Sequence, residues 1–592
     1  MLPANISRSV LRPLRLSVLL ALAPVLALAW ATPAHAQQRP NIVVVMTDDQ
    51  TVESTRVMSN LRLGLMAEGT TFDQAVTGFP LCCPSRATYL TGQYAHNHGV
   101  KHNVPPFGGY QALNGANTLP VWLRDAGYRT IHLGRYLNGY GTQNTDITEI
   151  PSGWTDWHSM VDPSTFDLSN WTMNDQGAIS NQPDGAHPGE HQTDFLGRRA
   201  SELIAEAAPA EQPFFLSLTT TAPHSSRPRD PDDPPKLRTP HPAPRHRDVF
   251  AGEPLPRPPN FNEANMFDKP QVVRDRTRIP PHGIASIQEN YQQELESLLS
   301  VDDALGRILA ALRDSGELEN TLVIYTSDNG FFHGEHRIRT EKVLPYESGI
   351  RVPLIMRGPG VPRGERVEQL VSNVDLAPTV TEMAGATPNL PQDGRSLWEV
   401  LRDPAAEYAR EIVLENGNGA NKIPSYHGLR NERFTFVRHE TTGEQELYDL
   451  REDPFQLKSL DDTDAYDRIR KLLARRLREL ERCVGRACLA TRPAVRLRLR
   501  EVLPAEVRPV RSCLRSDLRV ALYGKERKLV DRVRYLRGER RLALTRNAPF
   551  RSTVRRRALP RRGKVLIRAR ITTIDGRTVT RDRVVQTCGR AP

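Results

Sequence analysis

Strands alternating with helices predict a layered α/β domain for most of this chain, followed by a smaller α+β unit and a basic β-sandwich. Three observations carry that reading. Asn41-Ile-Val-Val-Val-Met46 and Leu322-Val-Ile-Tyr-Thr326 are short, apolar, β-branched runs of the kind that form buried strands. Between them Leu295, Leu298, Leu299, Leu305, Ile308, Leu309 and Leu312 follow helical spacing over 291–312, with Gly316 as a stop signal. Beyond residue 490, Val495-Arg-Leu-Arg-Leu-Arg500 and Lys564-Val-Leu-Ile-Arg-Ala-Arg570 alternate strictly, which predicts half-buried strands with arginines on the outer face.

A length of 592 residues exceeds what one core organises, so several domains are expected. The chain opens on Arg8, Arg12 and Arg15, an apolar run from Leu16 to Trp30, and Ala34-His35-Ala36. That order is the charged, apolar and small-x-small pattern of an export signal over residues 1–36. The apolar run falls short of the ~20 residues a spanning helix needs, so a secreted, periplasmic or extracellular protein without a transmembrane segment is expected.

Residues 37–389 form the predicted α/β domain. Within it fifteen prolines fall between Pro223 and Pro281, which predicts irregular, surface-running chain, a disordered linker or a long loop. Residues 390–482 read as the smaller α+β unit, with a strand at Arg433-Phe-Thr-Phe-Val-Arg438 and a charged helix near 464–482. Residues 490–592 form the basic domain. From Thr491 to Pro592 there are 30 Lys and Arg against 8 Asp and Glu, a local net of +22, so the rest of the chain is mildly acidic. That charge makes a polyanion contact through residues 490–592 a candidate, whereas Tyr523, Tyr535 and Phe550 are too few for a base-stacking platform. Four of the six cysteines lie beyond residue 480 and allow three pairings. Cys483 with Cys488 and Cys513 with Cys588 is the expected pair set, the second tying the ends of the basic domain together.

In layered α/β sheets ligands sit beyond the carboxyl ends of the strands. Asp48 and Asp49 follow the first predicted strand, and Asp328 and Asn329 follow the second. Either cluster alone is ordinary turn chemistry. The stretch Cys82-Cys83-Pro84-Ser85-Arg86-Ala87-Thr88-Tyr89-Leu90-Thr91-Gly92 changes their weight. It resembles, at every fixed position, the Cys-x-Pro-Ser-Arg-x-x-x-Leu-Thr-Gly signature of formylglycine-dependent sulfatases. The resemblance covers about residues 39–482, and Tyr136-Leu137-Asn138 is similar to N-acetylglucosamine-6-sulfatase-type members.

The resemblance implies an alkaline-phosphatase-like fold with a large mixed central sheet. It also implies hydrolysis of sulfate esters, of a sulfated sugar or of aryl sulfates, with Cys82 oxidised to formylglycine by a formylglycine-generating enzyme. The hydrated aldehyde carries two hydroxyls, one to attack sulfur and one to release sulfate by re-forming the aldehyde, which splits a difficult step in two. Asp48, Asp49, Asp328 and Asn329, with the modified Cys82, match the family's metal ligands. An all-oxygen set suits calcium, with magnesium the alternative, and no zinc spacing occurs in the body of the chain. Arg86 matches the arginine that orients the formylglycine, Lys342 a lysine on the sulfate, and His224 the acid for the leaving oxygen. Arg135 stands where the family usually has lysine, a change of shape at constant charge. Leu137 occupies a usual histidine position, leaving His98, His333 and His336 as candidates for the base in sulfate release. Two other readings follow from the same residues: a phosphodiester or phosphonate hydrolase on this fold, and a polyanion-binding protein with an incidental catalytic body.

Overall fold

Alternate residues of the first strand feed two different cores. β1 (Asn41–Thr47) is buried along its whole length. Ile42, Val44 and Met46 pack into one apolar cluster, and Val43 and Val45 into another. A strand covered on both faces reads as an unbroken β-branched run rather than an alternating one. The computed structural model describes residues 39–143, 146–403, 410–417, 423–489, 496–501, 513–514, 516–524, 527, 529–546, 548–576 and 578–588. The expected export signal, 1–36, lies outside the described residues.

After β1 come β2 (Thr70–Val76), β3 (Arg129–Gly134), β4 (Asp156–Met160), β5 (Trp171–Asp175), β6 (Ala178–Gln182), β7 (Phe214–Thr219) and β8 (Thr321–Ser327). β9 (Phe332–His333) and β10 (Thr340–Glu341) make a small hairpin, and β11 (Leu354–Arg357) and β12 (Glu365–Ser372) return to the main sheet. That sheet has ten strands in the order β12-β2-β11-β8-β1-β7-β3-β4-β5-β6. Its centre, β8-β1-β7-β3-β4, is parallel, so the carboxyl ends of these strands share one edge. β11, β5 and β6 run antiparallel to their neighbours, which makes the sheet mixed, as the resemblance implied.

A 34-residue helix, Pro281–Asp314, covers one face and turns Leu298, Val301, Leu305, Ile308 and Leu312 into the second cluster. It starts ten residues before the predicted 291 because Pro281 sits at its first position, where a missing N–H costs nothing. Gly316, at φ +78°, follows its end as expected. The proline-rich chain before this helix, from Pro223 to Pro281, is irregular, with only the short turns Pro244–His246 and Gln271–Arg274, yet Thr239, His241 and Ala243 are buried within it.

β13 (Glu411–Asn416), β14 (Tyr426–Asn431), β15 (Phe434–His439) and β16 (Gln445–Asp449) form an antiparallel meander. The helix Asp467–Leu480 lays Ile469, Leu473, Leu477 and Leu480 against it, one turn apart, and turns Arg468, Arg475 and Arg478 to solvent, while Arg476 pairs with Glu411 at 2.6 Å. β17 (Arg496–Glu501), β18 (Leu518–Tyr523), β19 (Val530–Arg537), β20 (Arg540–Thr545), β21 (Arg551–Val554), β22 (Gly563–Thr573) and β23 (Thr578–Thr587) complete the chain. They form two antiparallel sheets, β17-β18-β21 and β20-β19-β22-β23, over a shared core that includes Val520, Leu522, Val533, Tyr535, Ile567 and Ile571. This is the sandwich expected from the alternation. Disulfides join Cys483 to Cys488 and Cys513 to Cys588, while Cys82 and Cys83 are buried free thiols. No helix among the described residues is long and apolar enough to cross a membrane.

Candidate active site

The motif 82–92 folds as a buried helix, Cys82–Thr91, that starts at the sheet's carboxyl edge. Leu81 is extended and Pro84 lies in the first turn, where helix N–H groups have no intrahelical partner. Gly92 closes the helix at φ +67°, and a Cβ there would meet Pro378 and Gln392 at 3.1 Å. Ser85 fixes the helix from below: its hydroxyl donates to the Asp328 carbonyl, and Asn373 Nδ2 donates to it at 2.9 Å. Cys82 thus stands at the positive end of the helix. Burial, with Asp328 and Asp49 adding to it and Lys342 and Arg86 opposing, pushes the Cys82 thiol up to about 12. An unmodified cysteine here is a thiol at neutral pH and a poor nucleophile.

Asp48 and Asp49 end β1, and Asp328 and Asn329 end β8, its hydrogen-bonded parallel neighbour. Arg86 joins the two ends: Nη2 donates to Asp48 at 3.0 Å, Nε to Asp328 at 2.9 Å, and Nη1 to the Arg135 carbonyl at 3.0 Å. Asp49 holds a positive φ of +67°, which swings its carboxylate toward the second loop, where Asn329 Nδ2 donates to it at 2.6 Å. Lys342 donates to Asp49 and, at 2.9 Å, to Cys82 Sγ. Burial works against the Lys342 charge, but Asp49, Cys82 and Asp328 outweigh it and hold its pKa above the ordinary lysine value. Arg135 pairs with Asp48 and lies 4.7 Å over the ring of Phe166. His224 Nε2 is 3.6 Å from Asp49, and its Nδ1 faces the Ser225 carbonyl at 2.7 Å. Burial first, then Lys342 and Arg135, hold His224 well below the ordinary histidine pKa, so its imidazole is neutral.

All nine sequence-derived residues therefore meet in one cluster, buried except for the partly exposed His224. Ligand atoms of Asp48, Asp49 and Asp328 lie within 4.8 Å of one another, close enough to share one ion at the 2.3–2.6 Å usual for calcium–oxygen bonds. Asn329 Oδ1 is buried with no hydrogen-bond partner, a fourth oxygen donor beside them. Three carboxylates and an orphaned amide oxygen fit a hard divalent cation.

The three histidines considered as base do not join the cluster. His98 bonds to Thr88 Oγ1 at 3.1 Å, and His336 sits between Glu263 and Asn260 at 2.6 and 3.2 Å. His333 pairs with Glu294 at 3.0 Å, and Leu137 is buried in the apolar core. The His333 pairing exposes a link that sequence reasoning missed. Glu294, on the long helix, also accepts from Thr51 Oγ1 at 3.0 Å, so it ties the loop after Asp49 to the loop after Asn329. A carboxylate immediately before the apolar series that begins at Leu295 was the available signal. Phe166 and Asn373 were also missed and carried no sequence signal. A cavity of about 560 Å³ lined by Thr51, Tyr291, Phe331 and His333 adjoins these loops, although none of the nine residues lines it.

A family model described as Sulfatase matches residues 40–386, and one described as N-sulphoglucosamine sulphohydrolase, C-terminal, matches 334–483. An arylsulfatase of Volvox carteri is 32% identical over 515 residues, covering 78% of each chain. Human N-acetylglucosamine-6-sulfatase is 33% identical over 401 residues, 66% of this chain and 69% of that one. A solved structure of a protein in complex with its substrate D-glucosamine-2-N,6-O-disulfate shares the alkaline-phosphatase-like fold. Its TM-score is 0.61 at 24% identity, over 75% of this chain and 97% of that one. The fold, the motif helix and the family model together place this chain in the sulfatase family, as a sulfuric ester hydrolase.

Proposed function

We propose that this enzyme hydrolyses sulfate esters of a sugar, with a formylglycine made from Cys82 as nucleophile and calcium held by Asp48, Asp49, Asp328, Asn329 and the modified residue. The observation that carries the reading is the meeting of the Cys82 helix with the acidic ends of β1 and β8, bridged by Arg86. Bound there, the ion would supply Lewis-acid polarisation and fix the ester against the nucleophile.

The chain's own residues do the rest. Three carboxylates balance Arg86, Arg135 and Lys342, so a divalent cation leaves the site net positive, matched to an anionic ester. Arg86 is saturated by strand-end acceptors and orients residue 82. Lys342 and Arg135 reach the centre with charge and take the ester's sulfuryl oxygens. His224, its ring held by the Ser225 carbonyl on Nδ1 and by Phe166, 5.0 Å away, presents Nε2 to the leaving oxygen; the anionic ester bound beside it favours the imidazolium, which gives up its Nε2 proton there. Calcium is preferred to magnesium because the donors sit on two loops rather than in a rigid octahedral cage.

Finer parts of the reading stand with it. Likeness to N-acetylglucosamine-6-sulfatases at Tyr136-Leu137-Asn138 favours a sulfated amino sugar, with aryl sulfates as surrogate substrates. Maturation needs a formylglycine-generating enzyme, and residues 1–36 direct export to the periplasm or outside. We assign residues 37–389 to the catalytic domain, 390–482 to its C-terminal subdomain and 490–592 to an accessory domain.

Mass spectrometry of the Cys82 peptide from the native host tests the nucleophile. An aldehyde is expected, and an unmodified thiol in a competent host overturns the mechanism. Rates on aryl sulfate against aryl phosphate and phosphonate test the ester class, and a strong phosphorus preference would overturn it.

A further inference from the structure

The outward face of the sheet β20-β19-β22-β23 collects like charges in register. Arg534 on β19 lies directly opposite Arg570 on β22, and both are exposed. Like charges directly opposite each other destabilise a pair of strands, so fold stability alone gives no reason to place them there. Neither has a carboxylate within ion-pair distance among the described residues; the salt bridge found on this face joins Arg568 to Asp582. By register, Arg532 and Arg568 flank that pair on the same face, with Arg541 and Lys564 further out. Positions two apart on a strand are about 6.6 Å apart and neighbouring strands about 4.8 Å, so these cations form a grid with spacings near a sugar residue's size.

The rest of the face tells which polyanion it fits. Leu544 is 39% exposed opposite Arg534, and Leu566 (43%) faces Val584 (61%) across β22 and β23. Thr572 and Thr580 lie opposite Arg532 and Arg570. Cations interleaved with exposed aliphatic and hydroxyl groups match a chain of sulfated pyranose rings, whose anionic groups alternate with C–H faces and hydroxyls. No exposed aromatic ring lies on this face among the described residues, Tyr535 being fully buried, so nothing is present to stack a nucleobase.

We propose that this face docks a sulfated polysaccharide and holds the polymer on the enzyme, an inference that rests on the sulfated-sugar reading of the active site. The partner is committed: a polysaccharide bearing sulfate groups, recognised by charge and not by sequence.

The test uses the full-length protein, the Arg534→Ser/Arg570→Ser double variant and the Arg534→Lys/Arg570→Lys double variant. Each is titrated with heparin, with desulfated heparin and with double-stranded DNA across a salt series, alongside turnover of a small aryl sulfate. The serine variant is expected to bind heparin about tenfold or more weakly, with a salt slope shallower by about two. The lysine variant keeps most of the binding, desulfated heparin binds none of the proteins well, and aryl sulfate turnover is the same in all three. Unchanged heparin binding by the serine variant overturns the proposal, and so does an equal loss on DNA, which would make the face a general cation patch. Heparin binding that falls as expected in a protein inert toward aryl sulfate would leave the docking face standing and sink the sulfatase mechanism instead.

Discussion

Asn329 donates its amide N–H to Asp49 across the gap between β8 and β1, 2.6 Å away, and leaves its own buried oxygen without a hydrogen-bond partner. One side chain thus spans both strand ends with half its hydrogen-bonding capacity unspent. Leaving a buried polar atom unsatisfied costs about 1–3 kcal/mol, and a cation at this point removes that cost.

On the proposed calcium site, metal removal is therefore expected to destabilise the protein as well as silence it. Treatment with a chelator should lower the melting temperature and abolish aryl sulfate turnover, and added calcium should restore both. Asn329→Ala should weaken calcium binding, measured by titration calorimetry, by about tenfold or more. Equal affinity in the variant would remove Asn329 from the ligand set.

Cys82 and Cys83 are adjacent and both buried, yet only the first faces the carboxylates: its Sγ lies 3.3 Å from Asp48 and 2.9 Å from Lys342. Cys83 instead packs in the apolar core and donates its backbone N–H to Asn103 at 2.9 Å. Cys82→Ala should cut kcat by a factor on the order of a thousand or more. Cys83→Ala should cost about 1 kcal/mol of stability through the lost sulfur and leave kcat within a few-fold. Comparable losses in both variants would mean that the helix, rather than residue 82, had been damaged.

Arg135 tests whether shape matters at constant charge. Its planar guanidinium is held between Asp48 and the Phe166 ring, an arrangement that a lysine ammonium reproduces only in charge. Arg135→Lys should lower kcat/KM by about tenfold and Arg135→Ala by about a hundredfold or more, read from steady-state rates on an aryl sulfate. A lysine variant at full activity would show that the fork geometry carries no part of the binding.

How much of this could be read in advance depended on sequence distance. The two apolar strands that end in acidic clusters and the strict alternation of β22 are local patterns, and each formed where the sequence placed it, whereas the helical conformation of the 82–92 motif came from the structure alone. The long helix ran ten residues further back than its apolar spacing showed, because its first three turns pack through Ile287 and Tyr291 against the proline-rich chain rather than against the sheet. The ties that hold the site were less legible. Glu294 reaches Thr51 across 243 positions, and Asn373 reaches Ser85 across 288. Each is one polar side chain in an otherwise ordinary element, and only the crossover topology of the sheet brings it to its partner. Leu137 is the converse case: the sequence marked it as a departure from a usual histidine, and its place in the core gives it packing to do instead.

Glu296 supplies a pH signature remote from the carboxylates proposed to hold the ion. It lies on the same long helix and accepts the Phe250 N–H at 2.9 Å, which pins the proline-rich segment to the helix. Burial pushes its carboxyl up to about 7, with backbone donors from Phe250 and Asp248 opposing and the charges of Asp248 and Glu289 adding to the rise. The folded state therefore holds this proton more tightly than the unfolded chain, where a glutamate titrates near 4.3. The stabilisation is fully present below that unfolded value and is lost as pH rises through about 7. Glu296→Gln keeps an acceptor for Phe250 but cannot ionise. Scanning calorimetry at pH about 5 and about 8 should show the variant gaining on the wild type at the higher pH, by about a degree or two of melting temperature. A gain at the lower pH would reverse the sign of the linkage and place the ionised carboxylate, not the neutral acid, in the folded protein.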